Sequence, residues 1–115
     1  MNPLVQFYVI AGISLALLGL PLLFGLVGPN PIYGFRLPQT FKDKALWYAV
    51  NRYGARWLIA AGLATVGGAV LFSYIPGITV DGYALAVLGV LALVSLTGMV
   101  QTVRFMRAEM RKKQG

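Results

Sequence analysis

Three stretches without a single Lys, Arg, Asp or Glu, residues 4–27, 57–75 and 83–103, constrain this chain more than any other feature of its sequence. As helices they would reach roughly 36, 28 and 32 Å, against a bilayer hydrocarbon core of about 30 Å. With 58% hydrophobic and 11% charged residues among 115, the chain has too little polar surface for a soluble domain of its size. The expected fold class is an all-α membrane protein with three transmembrane helices, forming one membrane domain over residues 1–115. The first run lacks a basic leader and a clear small-x-small cleavage site, so it reads as a span rather than a signal peptide.

The charges lie between and after the spans. Arg36, Lys42, Lys44, Arg52 and Arg56 occupy the connector 28–56, and Arg104, Arg107, Arg111, Lys112 and Lys113 occupy the tail 104–115. The link 76–82 carries no cation. The positive-inside rule then places connector and tail in the cytoplasm and the N-terminus outside, as in a bacterial-type cytoplasmic membrane. Tyr8, Tyr74 and Tyr83 would mark the outer interface, and Tyr53, Trp57 and Phe105 the inner one. A net charge of +7 placed beside spans points to anionic headgroups as partners. No stacking platform or recognition helix accompanies it, which argues against direct binding of nucleic acid.

Catalytic chemistry has little to work with. Cys and His are absent, and Asp43, Asp81 and Glu109 are the only side-chain carboxylates, so the usual zinc or iron ligand sets cannot be assembled in one chain. No cofactor, metal site or catalytic group is expected, and the protein reads as non-enzymatic. A transporter or enzyme would call for ionisable groups inside the spans, or for a nucleophile with its base.

The connector concentrates what is unusual. Gly28-Pro29-Asn30-Pro31 is expected to end the first span, and Pro38 to hold Leu37 extended. Thr40 followed by Asp43 reads as a capping box that starts a helix near Phe41. Leu46, Val50, Tyr53 and Trp57 then recur on one face, with Trp47 and Gly54 beside them and Lys44, Asn51, Arg52 and Arg56 elsewhere. This is an amphipathic interfacial helix between the first and second spans, and periodicity leaves open whether it is separate from the second span or continuous with it. Arg36 is expected to pair with Asp43 or a lipid phosphate. Anchoring alone does not require Asn30, Tyr33, Gly34, Arg36 and Thr40 in a proline-framed turn, followed by Trp47 and Asn51 one helical turn apart.

In the spans, Ala60, Ala64 and Gly68 offer a small-residue face, expected to pack within the chain in preference to a dimer seam. Pro21 is expected to kink the first span and to help open a cleft that faces the connector. Ser95, Thr97, Gln101 and Thr102 are expected to hydrogen-bond between helices.

The stretch GPNPIYGFRLPQTFKDKALWYAVNRYGARWLIAAGL resembles the signature of the SdpI family of small bacterial membrane proteins: an Asn, Gly-x-Arg, a Thr, a Trp, and an Asn or His four residues on, running into a span. Asn30, Gly34, Arg36, Thr40, Trp47 and Asn51 carry the match. Leu37 departs from it, since many relatives have Thr there. The resemblance implies a non-enzymatic immunity protein that gives resistance to a membrane-active toxic peptide. Asn30, Tyr33, Gly34, Arg36, Thr40, Trp47 and Asn51 are the candidate partner-binding residues. The alternative is a membrane anchor whose connector and tail dock or sequester a soluble regulator such as a repressor.

Overall fold

The computed structural model describes residues 2–114 and contains four helices: α1 (Pro3–Leu23), α2 (Pro38–Lys42), α3 (Lys44–Phe72) and α4 (Val80–Gln114). Three of them, α1, α3 and α4, are long and apolar enough to cross a membrane, as the uncharged runs require.

Each helix boundary has a local cause. Asn2 caps α1 by accepting the Leu4 N–H at 2.7 Å, and Pro3 occupies a first-turn position that needs no N–H partner. The helix continues through Pro21 and ends at Leu23, four residues earlier than the apolar run suggests. Gly25 takes a left-handed φ of 68° there, while its N–H bonds Leu22 O at 3.3 Å and the Leu26 N–H bonds Pro21 O at 2.9 Å. That paired closure satisfies the last carbonyls of α1, so Gly25, rather than Gly28-Pro29, ends the helix.

Thr40 and Asp43 turn out to serve different helices. Pro38 opens α2, and the Thr40 hydroxyl accepts the Leu37 N–H at 3.2 Å. Asp43 is extended and caps α3 by accepting the Leu46 N–H at 3.2 Å. The long helix therefore starts at Lys44 and not near Phe41. It runs without interruption into the second span, which makes the amphipathic stretch the first part of α3.

α3 is the central helix, with α1 on one side and α4 on the other. Its contact with α1 depends on missing side chains: a Cβ on Gly62 would lie 2.4 Å from Gly12 O and 2.7 Å from Ala16 N, and one on Gly12 would lie 2.6 Å from Gly62 O. In lipid, where apolar burial adds little, such backbone proximity gives the dispersion contact that holds helices together. Ala60 is exposed, and Gly68 faces Phe72 and Val90 rather than α1, so the Ala60–Ala64–Gly68 face is not the crossing. Against α4, Gly98 lies beneath Trp57, where a Cβ would come within 2.7 Å of the Trp57 Cβ. At the 76–82 end, Val5, Ala69, Tyr83 and Val87 form a buried cluster, with Tyr8 edge-on to Tyr83 at 5.9 Å.

The hydroxyls of the spans mostly bond within their own helices. Thr97 donates to Leu93 O at 2.7 Å, Thr102 to Gly98 O at 2.6 Å and Thr65 to Ala61 O at 2.8 Å. All three are bonds to the carbonyl four residues back, which satisfy a hydroxyl in lipid without recruiting a neighbour. Thr97 and Thr102 thus do not make the interhelical bonds expected of them.

α3 and α4 are too long for the bilayer. With 29 and 35 residues they extend about 44 and 52 Å, so they project beyond a hydrocarbon core of about 30 Å on the side of the connector and tail. The projecting parts pack together. Leu46, Val50 and Met106 are buried as a cluster, with Phe35, Leu37, Phe105 and Met110 against it. Tyr53 stacks on Phe105 at 4.4 Å with the rings nearly parallel. The amphipathic stripe of α3 therefore finds its apolar partner in α4 and the connector.

Candidate functional site

The signature residues assemble where the connector meets the first turns of α3. Asn30 organises the turn after α1. Its amide donates to Gly28 O at 2.9 Å and Tyr33 O at 2.8 Å, while its Oδ1 accepts from the Ile32 N–H at 2.9 Å and the Tyr33 N–H at 2.7 Å. One short side chain thereby satisfies four backbone groups in a segment with no helix to do so.

Trp47 and Asn51 hold that turn to α3. Trp47 is 0% exposed and Asn51 1%. The indole Nε1–H donates to Val27 O at 2.9 Å, across 20 residues of chain. Asn51 Oδ1 accepts the Phe35 N–H at 2.6 Å, and its amide donates to Trp47 O at 3.0 Å and, more weakly, to Phe35 O at 3.5 Å. A buried donor or acceptor left unpaired costs about 1–3 kcal/mol, so Asn51 specifies where Phe35 must sit.

Two glycines make the seat fit. Gly34 has φ +115°, and a Cβ there would lie 2.7 Å from Asn51 Oδ1 and 3.1 Å from the Trp47 ring. Gly54 is covered by the Phe35 ring, which a Cβ would meet at 2.1 Å. Phe35 and Gly54 carry as much of this arrangement as the signature residues do. Gly54 shows in the sequence as a small residue beside the stripe, but its partner 19 positions upstream leaves no periodic trace.

Thr40 is also fully buried, and its hydroxyl donates to Leu37 O at 2.7 Å and lies 3.3 Å from Phe35 O. Arg36 is exposed and donates to Pro31 O, closing the turn upon itself. It does not pair with Asp43. That carboxylate is bonded by Lys113 at the far end of α4. The Tyr33 hydroxyl is buried with no partner among the described residues, and burial pushes its pKa above the usual phenol value. Arg52 donates to Leu23 O at 3.3 Å, adding a capping bond at the end of α1.

Six of the seven candidate residues fall into two groups, with the buried Tyr33 hydroxyl belonging to neither. Trp47, Asn51 and Thr40 are buried and, with Asn30 and Gly34, fix the connector backbone; Arg36 is exposed on that fixed turn, together with Ile32 at 83% exposure. Beside the seat, between α3 and α4, lies an apolar pocket of about 110 Å³ lined by Phe35, Trp57, Leu58, Ala61, Gly98 and Met99. Pro21 does not line it.

The bond between Lys113 and Asp43 gives a pH prediction. The Lys113 hydrogen bond first, and then the Leu46 N–H, holds the Asp43 carboxyl below its ordinary value of 3.8. A depressed carboxyl favours the tethered state above its unfolded pKa, and the tether is lost as pH falls through the folded value. A nitroxide at residue 114 should therefore show constant mobility from pH 7 to about pH 5 and loosen only below the usual carboxylate range. In Asp43→Asn it should be mobile throughout. Loosening between pH 7 and 5 in the unsubstituted protein would refute the tether.

Three apolar spanning helices, with a buried polar seat clamping the first connector to the second of them, define a multi-pass membrane protein whose distinctive element lies just outside the hydrocarbon. The chain belongs to the SdpI/YfhL protein family, whose model matches residues 26–102, from just beyond α1 through most of α4. Among curated proteins, an uncharacterized protein YfhL of Bacillus subtilis (strain 168) is 40% identical over 38 residues. That stretch covers 33% of this chain and 34% of the relative. No solved structure matches the chain.

Proposed function

We propose that this protein is a non-enzymatic immunity protein of the SdpI type, giving resistance to a membrane-active toxic peptide through the surface of the clamped turn 30–36. The observation that carries the reading is the division of labour in the signature. Buried Trp47, Asn51 and Thr40 fix a backbone that leaves Ile32 and Arg36 exposed, and a planar guanidinium beside an apolar tip suits an amphipathic peptide. The supporting test is survival of a sensitive host expressing the protein while challenged with secreted membrane-active peptides. Protection by the unsubstituted protein and its loss in Ile32→Asp at equal membrane abundance is the expected result. Equal survival of the two would count against the turn.

A second reading, an anchor that docks a soluble regulator, is favoured by the paired projection of α3 and α4 beyond the bilayer thickness. Co-purification of a soluble repressor that depends on this projection, with no peptide protection, would select it.

Both readings use the orientation given by the cations, with connector and tail cytoplasmic and the N-terminus and link 76–82 outside. Single cysteines at Asn2, Lys44, Thr79 and Lys112 would be treated with an impermeant thiol reagent in intact cells. Labelling is expected at positions 2 and 79 alone. Labelling at 44 with protection at 79 would invert the topology.

A further inference from the structure

The projecting part of α4 carries a feature that neither the seat nor the tether uses. Arg104, Arg107 and Arg111 follow at three- and four-residue intervals, so they share one face of the helix. With Tyr53, Gln101 and Phe105 they line an open hollow of about 550 Å³. All three arginines are exposed, and none makes an ion pair or hydrogen bond among the described residues.

We propose that this hollow is a binding site for a phosphate group, presented by an anionic phospholipid headgroup or by free phosphate. Three observations converge on that chemistry. The first is charge: the nearby carboxylates are already engaged, Asp43 by Lys113 and Glu109 by Lys112 at 3.3 Å, and neither lines the hollow. The second is donor type, because three guanidinium forks and the Gln101 amide line one hollow, and arginine binds phosphate oxygens in paired hydrogen bonds.

The third is depth. Gln101 and Arg104 straddle the end of the third apolar run at residue 103, and Arg111 lies about 10 Å further along the axis, so the site spans the headgroup layer. The orientation rule accounts for cations on this side of the membrane, and the helix dipole favours those in the last turn, Arg111, Lys112 and Lys113. Neither explains why Arg104 and Arg107 share a face with Arg111 around a hollow closed on one side by the stacked Tyr53 and Phe105 rings.

The test is native mass spectrometry of the full chain in neutral detergent, titrated separately with phosphatidylglycerol, phosphatidylcholine and inorganic phosphate. Phosphatidylglycerol should be retained about tenfold or more over phosphatidylcholine, the effect expected of two or more cations acting on one headgroup. R104Q/R107Q/R111Q should abolish that preference at an unchanged melting temperature, since the three side chains are exposed. K42Q/K44Q/K112Q, which removes the same charge outside the hollow, should keep it. R104K/R107K/R111K retains the charge without the planar fork and should fall between. Competition by millimolar inorganic phosphate would identify free phosphate as an occupant, and lack of competition would assign the site to the lipid headgroup. Equal losses in the two glutamine triples, or an undiminished preference in the lysine triple, would overturn the site.

Discussion

Trp47→Ala is expected to destabilise the protein by about 3–5 kcal/mol, the range for emptying a buried aromatic site. Trp47 is 0% exposed, stands against Phe41 at 5.6 Å between ring centres, and holds Val27 O through its indole N–H. Its removal leaves a cavity and an unpaired carbonyl together. The damage should be concentrated in the connector, because α1, α3 and α4 keep their crossings at Gly12–Gly62 and Gly98–Trp57. Hydrogen exchange at residues 30–37 should accelerate far more than exchange in residues 58–70. Trp47→Phe should lie between, since it keeps most of the ring and loses the bond to Val27. A melting temperature in detergent unchanged by Trp47→Ala would mean that the connector is not held by this residue.

Gly62→Leu should be nearly as damaging, through a different part of the fold. The atoms that a side chain would meet are backbone, Gly12 O and Ala16 N, and cannot be relieved by a rotamer change. α1 must move away from α3, and overpacking of this kind costs about 1–3 kcal/mol, more where the backbone itself has to shift. Gly67 provides the matched control, since nothing lies within 4 Å of a Cβ there. Gly67→Leu should melt with the unsubstituted protein while Gly62→Leu loses α1 packing, read as faster exchange and protease entry between α1 and α3. Similar melting of the two variants would remove the close crossing as a source of stability.

These two sites differ in how visible they are in the sequence. The spans follow from uncharged runs of the right length, a property of composition that needs no tertiary information. Trp47 and Asn51 are recognisable as neighbours because their four-residue spacing places them on one face of a helix, and the structure joins them through the Asn51 amide and Trp47 O. The Gly12–Gly62 crossing is not recognisable in this way. With 14 glycines in the chain, spacing on α3 alone offers several small faces, and which one is used depends on where α1 comes to rest. Ala60–Ala64–Gly68 has the better sequence pattern and is not the face that meets α1.

The connector shows the same limit at closer range. Its amphipathic stripe is legible, but periodicity reports that a face needs an apolar neighbour without identifying it. The lipid interface and α4 satisfy the same pattern, and α4, with Met106 and Phe105, is the neighbour found. Asp43 illustrates competition among local rules. Pro38 starts a short helix of its own, so Thr40 is occupied with Leu37 and Phe35, and Asp43 is left to cap α3 and meet Lys113 from 70 residues away. A contact of that range can be read only once α4 is known to continue to Gln114.

Loss of activity in Trp47→Phe or Asn51→Ala cannot by itself distinguish a displaced turn from a missing contact. Arg36 separates the two. Its side chain is exposed and bonds Pro31 O within the same turn, while the bonds that hold the turn to α3, from Trp47 to Val27 O and between Asn51 and Phe35, do not involve it. The decisive measurement is survival under peptide challenge of cells carrying Arg36→Gln at matched membrane abundance and melting temperature. Lost protection with the fold intact is the expected result. Full protection would contradict the assignment of activity to the clamped turn.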